Sequence, residues 1–212
     1  KDIGKPKVSG RVVSQEKVTH DIAHLVVQLD APLAYQAGQF ANLSLDARPG
    51  VSRSYSFATP ARDDGEVGFY IRKIPGGQLS TVVNDEDVRG QAVQLDGPHG
   101  DFWLRPSDAP IVMVAGGSGL PPILAMLEEA VAAGVSRSVT LLFGAREAKD
   151  LYALEQIESI RQRWKGSFRF VPVLSSAEGD ASWKGERGLV ADEIPGFLET
   201  GSHAYLCGPP AM

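Results

Sequence analysis

The chain has a single cysteine, Cys207, among 212 residues. One cysteine cannot close an internal disulfide, and it cannot supply the four thiolates of a usual iron–sulfur cluster or of a four-cysteine zinc site. Positive charge is also short. Lys and Arg number 21 against 26 Asp and Glu, a formal net charge of −5, which gives no electrostatic reason to bind nucleic acid. Long hydrophobic runs are missing. The longest strongly apolar stretch, Ile111 to Ala115, is far short of the ~20 residues that span a bilayer. No signal peptide stands at the N-terminus, so the expectation is a cytoplasmic protein with no membrane partner. The remaining composition, 43% apolar and 22% charged, is that of an ordinary globular protein. At roughly 100–200 residues per domain, the length allows one large domain or two small ones.

Two halves of different character follow. In the first, apolar and polar residues alternate in short segments: Val8, Gly10 and Val12; Ala23, Leu25, Val27 and Leu29; Phe40 to Leu45; Tyr55 to Ala58; Val67 to Arg72; Val93 to Leu95. A period of two marks strands with one buried face. Turn-forming clusters separate them, among them Arg62-Asp63-Asp64-Gly65, Pro75-Gly76-Gly77 and Gly97-Pro98-His99-Gly100. Six such strands over about 100 residues predict a six-stranded antiparallel barrel over 1–105. His99 is expected to be a plain loop position.

The pattern changes near Arg105-Pro106-Ser107-Asp108-Ala109-Pro110. Ile111 to Ala115 is a continuous apolar run, as in a strand buried on both faces. A helix follows with Ile123, Leu124, Leu127, Ala130 and Val131 on its apolar face and Gly134 at its end. Val139 to Phe143, Phe168 to Leu174 and Ala204 to Cys207 read as further strands. Asp150 is expected to cap a second helix bearing Leu154, Ile157, Ile160 and Trp164. Ser175 to Gly188 reads as a polar, glycine-rich loop. This alternation predicts a Rossmann-like parallel sheet over 106–212, with the chemistry in the cleft between the two domains.

Four motifs are candidates for binding. Gly116-Gly117-Ser118-Gly119-Leu120-Pro121-Pro122 lies between a buried strand and a helix, where glycines admit a pyrophosphate to free backbone N–H groups. Pro122 stands where the dinucleotide fingerprint has its third glycine. Arg53-Ser54-Tyr55-Ser56 alternates a cation, a flat ring and hydroxyls along one strand. Ser54 and Ser56 should share one face, and Arg53 and Tyr55 the other. Pro75-Gly76-Gly77-Gln78-Leu79-Ser80 reads as a second glycine turn entering a short helix. Cys207-Gly208-Pro209-Pro210 follows the last strand, at the carboxyl end where α/β sheets bind ligands. Read alone, each is also compatible with a plain turn, strand or buried thiol.

Taken in order, Arg53–Ser56, Gly76–Ser80, Gly97-Pro98-His99-Gly100-Asp101-Phe102, Gly116–Pro122 and Cys207–Pro210 resemble the ferredoxin–NADP reductase family over nearly the whole chain. The similarity is closest to the flavin and NADH portion of reductase components of bacterial multicomponent oxygenases. Asn84–Gln91 and Trp183–Gly188 look most like soluble methane monooxygenase reductase. The resemblance implies an FAD-binding barrel and an NAD(P)H-binding α/β domain. It implies that Arg53 and Ser54 lie at the flavin with Tyr55 stacked on its ring, and that Ser56 is near N5, where the hydride arrives. Tyr70, Ile71 and Arg72 would lie along the ribityl and adenine side, and Gly77, Gln78, Leu79 and Ser80 would supply phosphate contacts. Gly117, Ser118 and Gly119 would face the nicotinamide dinucleotide, with Cys207 and Gly208 beside its ring. Cys207 would then be a positioning residue and not a covalent nucleophile.

After the strand Val139–Phe143, the segment offers Arg146, which suits a 2′-phosphate, and Glu147 and Asp150, which suit a free ribose. The resemblance favours NADH over NADPH. It further implies that electrons leave singly for a [2Fe-2S] centre in a ferredoxin-like domain or protein, and then for an oxygenase hydroxylase component. Family members usually continue past the Cys207–Pro210 motif, so the second domain is expected to lack its last helix and strand. The linker-like start Lys1 to Lys7 is expected to follow a further domain. The rival readings are the reductase half of a flavohaemoglobin, a stand-alone flavin reductase, and a non-catalytic nucleotide-sensing module.

Overall fold

A computed structural model describes residues 7–176, 180–210 and 212. Of the linker-like start, all but Lys7 lies outside the described residues. The chain divides into two compact units, Lys1–Leu104 and Arg105–Met212.

The first unit holds strands β1 (Val8–Lys17), β2 (Ile22–Leu29), β3 (Phe40–Leu45), β4 (Arg53–Ser56), β5 (Glu66–Arg72) and β6 (Ala92–His99), with helix α1 (Gln78–Asp85) between β5 and β6. The strands pair in the order β4-β3-β6-β1-β2-β5, every pair antiparallel. Beyond β4 the Ala58 N–H donates to the Gly68 carbonyl of β5 at 2.9 Å, which nearly closes the sheet into a barrel. Alternation sends Leu25, Val27, Leu43, Phe69, Ile71 and Leu95 inward, and α1 adds Leu79, Val82 and Val83 to the same core. Each such side chain stabilises the fold by ~1.5–3 kcal/mol.

Two strand boundaries differ from the sequence pattern. β4 starts at Arg53, before the apolar residues, because its ladder to β3 is made by Leu43↔Arg53 through Phe40↔Ser56. β6 continues through Gly97 to His99, so His99 is a strand residue and not a loop position. Gly97 permits this because a Cβ there would meet the Ala41 side chain of β3 at 3.1 Å.

The second unit is a five-stranded parallel sheet in the order β10-β9-β8-β7-β11. Its strands are β7 (Ile111–Gly116), β8 (Val139–Ala145), β9 (Phe168–Leu174), β10 (Glu186–Arg187) and β11 (His203–Cys207). All six residues of β7 are buried. Helix α2 (Leu120–Ala132) buries Leu120 through Leu127 without interruption, a wider face than its sequence period indicates. It ends at Gly134, whose φ of 72° suits glycine and whose N–H bonds the Val131 carbonyl.

Helix α3 (Leu154–Arg163) is not capped by Asp150. Its N-cap is Ala153, at φ 57°. Asp150 instead closes a 3-10 turn over Ala148–Asp150, where the Glu147 N–H donates to its Oδ2 at 3.0 Å and Glu147 caps in return. Helix α4 (Val190–Glu193) packs Val190 onto Gly144 of β8 so closely that a Cβ at 144 would lie 2.7 Å from it. β10 lies within the stretch expected to be loop and pairs with Val173 and Leu174. Among the described residues no helix is long and apolar enough to cross a membrane.

Candidate functional site

Each unit carries its own set of candidate residues. In the barrel the register sorts β4 as alternation requires. Ser54 opposes Asn42 and Ser56 opposes Phe40, on the outward row of β3, and Tyr55 opposes the buried Ala41. The Ser54 hydroxyl donates to Asn42 Oδ1 at 2.6 Å. Tyr55 is half-buried against the barrel core, and burial pushes its phenol up to about 12 against the pull of Arg53. The ring is therefore a neutral flat surface throughout the physiological range. Arg53 is exposed and donates from Nη1 to the Ser52 carbonyl at 2.7 Å. Among the described residues no carboxylate pairs with it, so its other donors can meet an anion.

Phe40 pairs on its other side with His99, whose ring lies 5.5 Å from the Phe40 ring and whose Nε2 is 3.5 Å from Asp96 Oδ1. Sequence reasoning did not connect His99 to Ser56. The link is a cross-strand register, which no motif spacing displays.

The second half of the barrel set surrounds the start of α1. Its N-cap is Gly77, with no side-chain cap and no acidic residue in the first turn, so the partial positive charge of the helix start is not offset. Gly76, at φ 73°, opens to empty space. A Cβ on Gly77 would come within 2.9 Å of the Ile74 carbonyl, so the turn is as tight as glycine permits. Ser80 Oγ accepts from the Ile74 N–H at 3.0 Å and fixes that turn. Gln78 is exposed. Leu79 and Ile71 are fully buried, and their side chains belong to the barrel core and not to a ligand surface. Arg72 donates from Nε to Asp21 Oδ2 at 2.9 Å. Tyr70 stacks on His24, ring centres 4.4 Å apart, and burial holds the His24 imidazole below its usual pKa, hence neutral. An uncapped helix start beside a glycine turn, a free guanidinium and a neutral half-buried ring suit a flavin dinucleotide: an anion seat, a counter-charge and a stacking face.

In the second unit the parallel register sets Cys207 beside Ala115 and Gly116 beside Gly144. The glycine turn, the Arg146–Asp150 segment and Cys207-Gly208 therefore leave the sheet at the same, carboxyl edge. Gly117, at φ 50°, begins a 3-10 turn over Gly117–Gly119 that runs into α2. A Cβ on Gly119 would come within 2.7 Å of the Gly208 nitrogen and closer still to the Cys207 carbonyl. Pro121 and Pro122 carry no N–H, so the anion-facing donors at this helix start must come from Gly117 to Leu120. Cys207 is half-buried, and burial pushes its thiol up. It is a protonated, weakly nucleophilic group.

Of the three candidates after β8, Asp150 is committed to the Glu147 N–H, and Glu147 pairs with Lys149 at 3.1 Å. Arg146 is exposed. Sequence reasoning missed Tyr152, whose hydroxyl donates to the Gly117 carbonyl at 2.9 Å. Its only sequence signal is an aromatic residue with a hydroxyl directly ahead of a helix. Met212 packs against Gly116 and Gly208, within 3.1 Å of where a Gly116 Cβ would stand.

Comparison with known proteins matches residues 9–103 to the oxidoreductase FAD-binding domain and residues 113–212 to the oxidoreductase NAD-binding domain. The chain is 40% identical over 208 residues to the xylene/toluene monooxygenase electron transfer component XylA of Pseudomonas putida, covering 97% of this chain and 59% of that one. It is 37% identical to the phenol 2-monooxygenase reductase component DmpP of Pseudomonas sp. strain CF600, covering 90% and 55%. Among solved structures, the Amycolatopsis cytochrome P450 reductase GcoB superposes with a TM-score of 0.85 at 34% identity, covering 97% and 62%. The chain thus spans a little over half the length of the curated relatives it matches. With an FAD-binding barrel and an NAD-binding parallel sheet in that order, it belongs to the ferredoxin reductase-like oxidoreductases.

Proposed function

We propose that the chain is the FAD- and NADH-binding portion of the reductase component of a multicomponent oxygenase. Bound FAD would accept a hydride from the reduced nicotinamide and release the two electrons singly to a one-electron acceptor. The protein's part is to bind and orient. Arg53 would neutralise the flavin pyrophosphate, together with the N–H groups at Gly77–Ser80. Tyr55 would lie flat on the flavin ring as a neutral phenol, and Ser56 would offer a hydroxyl to the ring edge. The N–H groups of Gly117, Ser118 and Gly119 would hold the NADH pyrophosphate, and Cys207 and Gly208 would border the nicotinamide. Glu147 and Asp150, each accepting the other's backbone N–H in the closed turn, would flank the ribose, with Arg146 next to them.

The acceptor we propose is a [2Fe-2S] centre in a ferredoxin-like domain or partner, feeding an oxygenase hydroxylase in the cytoplasm. One cysteine cannot ligate such a cluster in this chain. The observation that carries the reading is the pair of uncapped, glycine-led helix starts, α1 in the unit that also holds Arg53 and Tyr55 and α2 with Gly119 packed on Cys207 and Gly208, in a chain 40% identical to an oxygenase electron-transfer component. The test is anaerobic. The FAD-loaded protein should lose its visible flavin absorption on titration with one equivalent of NADH. A protein that retains FAD and stays oxidised under excess NADH refutes the proposal.

A further inference from the structure

We infer that Tyr152 is a positioning residue for the dinucleotide-binding turn: its hydroxyl holds the Gly117 carbonyl and turns the following N–H groups toward the NADH pyrophosphate. This inference rests on the reading of the second unit as an NADH site.

The bond joins residues 35 apart in sequence, at 2.9 Å. Tyr152 is 3% exposed and Phe143 fully buried, and their rings meet edge to face at 5.6 Å and 86°. Phe143 pairs across the sheet with Ala115, two residues before Gly117. The phenol is thus seated on the strand that leads into the second ligand segment and reaches the turn that follows the first.

Its backbone is equally constrained. Just ahead, the reciprocal Glu147 and Asp150 bonds and the Leu151 N–H to the Ala148 carbonyl fix the 3-10 turn. Just behind, Ala153 adopts φ 57°, the one non-glycine with positive φ among the described residues. A residue with a Cβ takes that conformation only against steric cost, and such outliers persist where the surroundings over-determine them. Here the turn at Ala153 lets the chain enter α3 while Tyr152 points back at the glycine turn.

Gly117, at φ 50°, has many alternatives open to it, as glycine does. A carbonyl anchored by a buried hydroxyl removes one of them, the inward flip that would place an oxygen where the pyrophosphate must go. Tyr152 therefore couples the ribose-side segment, Arg146 to Asp150, to the pyrophosphate-side turn.

Tyr152→Phe deletes the hydroxyl and keeps the packing. Binding of ADP-ribose, which has the pyrophosphate but no nicotinamide, is measured by calorimetry on the FAD-loaded protein. KM and kcat for NADH are measured with ferricyanide as acceptor. One net hydrogen bond corresponds to about a two- to tenfold change. The expected result is ADP-ribose affinity about fivefold weaker and KM for NADH raised in proportion, with kcat unchanged. A merely structural hydroxyl would lower the melting temperature without that split. Wild-type protein that binds ADP-ribose, with a variant that binds it equally well at unchanged KM, overturns the inference and leaves the NADH reading standing. Wild-type protein that binds neither ADP-ribose nor NADH overturns both.

Discussion

Gly119→Ala should disable the second unit's site while leaving the fold in place. The added Cβ would stand 2.7 Å from the Gly208 nitrogen, and ordinary contact begins at 3.4 Å. That nitrogen alone would have to recede by about 0.7 Å, and the nearer Cys207 carbonyl by more. Both obstacles are backbone, so no rotamer relieves them. The glycine turn must therefore part from the end of β11, separating the donors of Gly117–Gly119 from Cys207 and Gly208. Overpacking of this kind costs ~1–3 kcal/mol, which in a chain of this size lowers Tm by about 2–12 °C. The functional loss should be larger, because a displacement approaching 1 Å at a reacting pair costs ~100-fold. Gly196→Ala is the matched control. It lies in the same unit, has no positive φ and has nothing within 4 Å of its added Cβ. Thermal melts and stopped-flow flavin reduction by NADH read both effects. A Gly119→Ala protein with wild-type Tm and wild-type reduction rate would show that the turn and β11 are not in the contact described.

Other expectations follow from the same geometry. Burial alone would raise the Asp21 carboxyl, but its bonds to Arg72 and Thr19 outweigh that and hold it below 3.8. The stability it contributes is complete above the ordinary aspartate pKa and is lost as pH falls through the lowered one. Asp21→Asn should therefore melt below wild type at pH 6 and converge with it near pH 2, and a gap constant with pH refutes this. Arg137 is 8% exposed and donates to the carbonyls of Ala109 and Arg105 at 2.6 and 3.0 Å. Arg137→Met removes both bonds and should cost ~2–4 kcal/mol, read as a Tm drop of about 4–16 °C, and a melt within 1 °C of wild type contradicts it. The raised Cys207 thiol should alkylate with iodoacetamide at pH 7.5 at least tenfold more slowly in the native protein than in urea, and equal rates would mean a thiol that is neither shielded nor perturbed. Arg146→Gln should reduce turnover with NADPH more than with NADH, and an unchanged ratio removes Arg146 from the ribose end.

The barrel strands were legible because a half-buried strand writes its geometry into a period of two. Leu25, Val27 and Leu29 stand two apart and point inward, with Val26 and Gln28 between them less buried. The glycine turns were legible for a similar reason, since the backbone requires the residue type. What stayed hidden was register and partnership. β10 is two exposed charged residues, Glu186 and Arg187, so no hydrophobic pattern marks it. Asp150 has the residue type and place of a helix cap, yet Glu147 three residues earlier makes a closed 3-10 turn the better-satisfied arrangement. Ile71 lies between the half-buried Tyr70 and Arg72, and Leu79 between the exposed Gln78 and the buried Ser80, so membership of a motif does not mark which side chains are open to a ligand.

Both candidate sites have the same construction, and it explains this split. Each proposed anion seat is the start of a helix with no side-chain cap. The turn before each is too tight for a Cβ, against Ile74 in one case and against β11 in the other. Glycine is then dictated at Gly77 and Gly119 by space, and a reader of the sequence sees it. The side chains bonded to these turns, Ser80 on the Ile74 N–H and Tyr152 on the Gly117 carbonyl, use hydrogen bonds that many sequences could supply. On the proposed reading, specificity for the dinucleotide resides partly in residues that carry no motif of their own. The lone thiol fits the same scheme. Cys207 lies at the end of β11 with its ionisation suppressed by burial, and on the proposed reading it is a small protonated side chain bordering the nicotinamide.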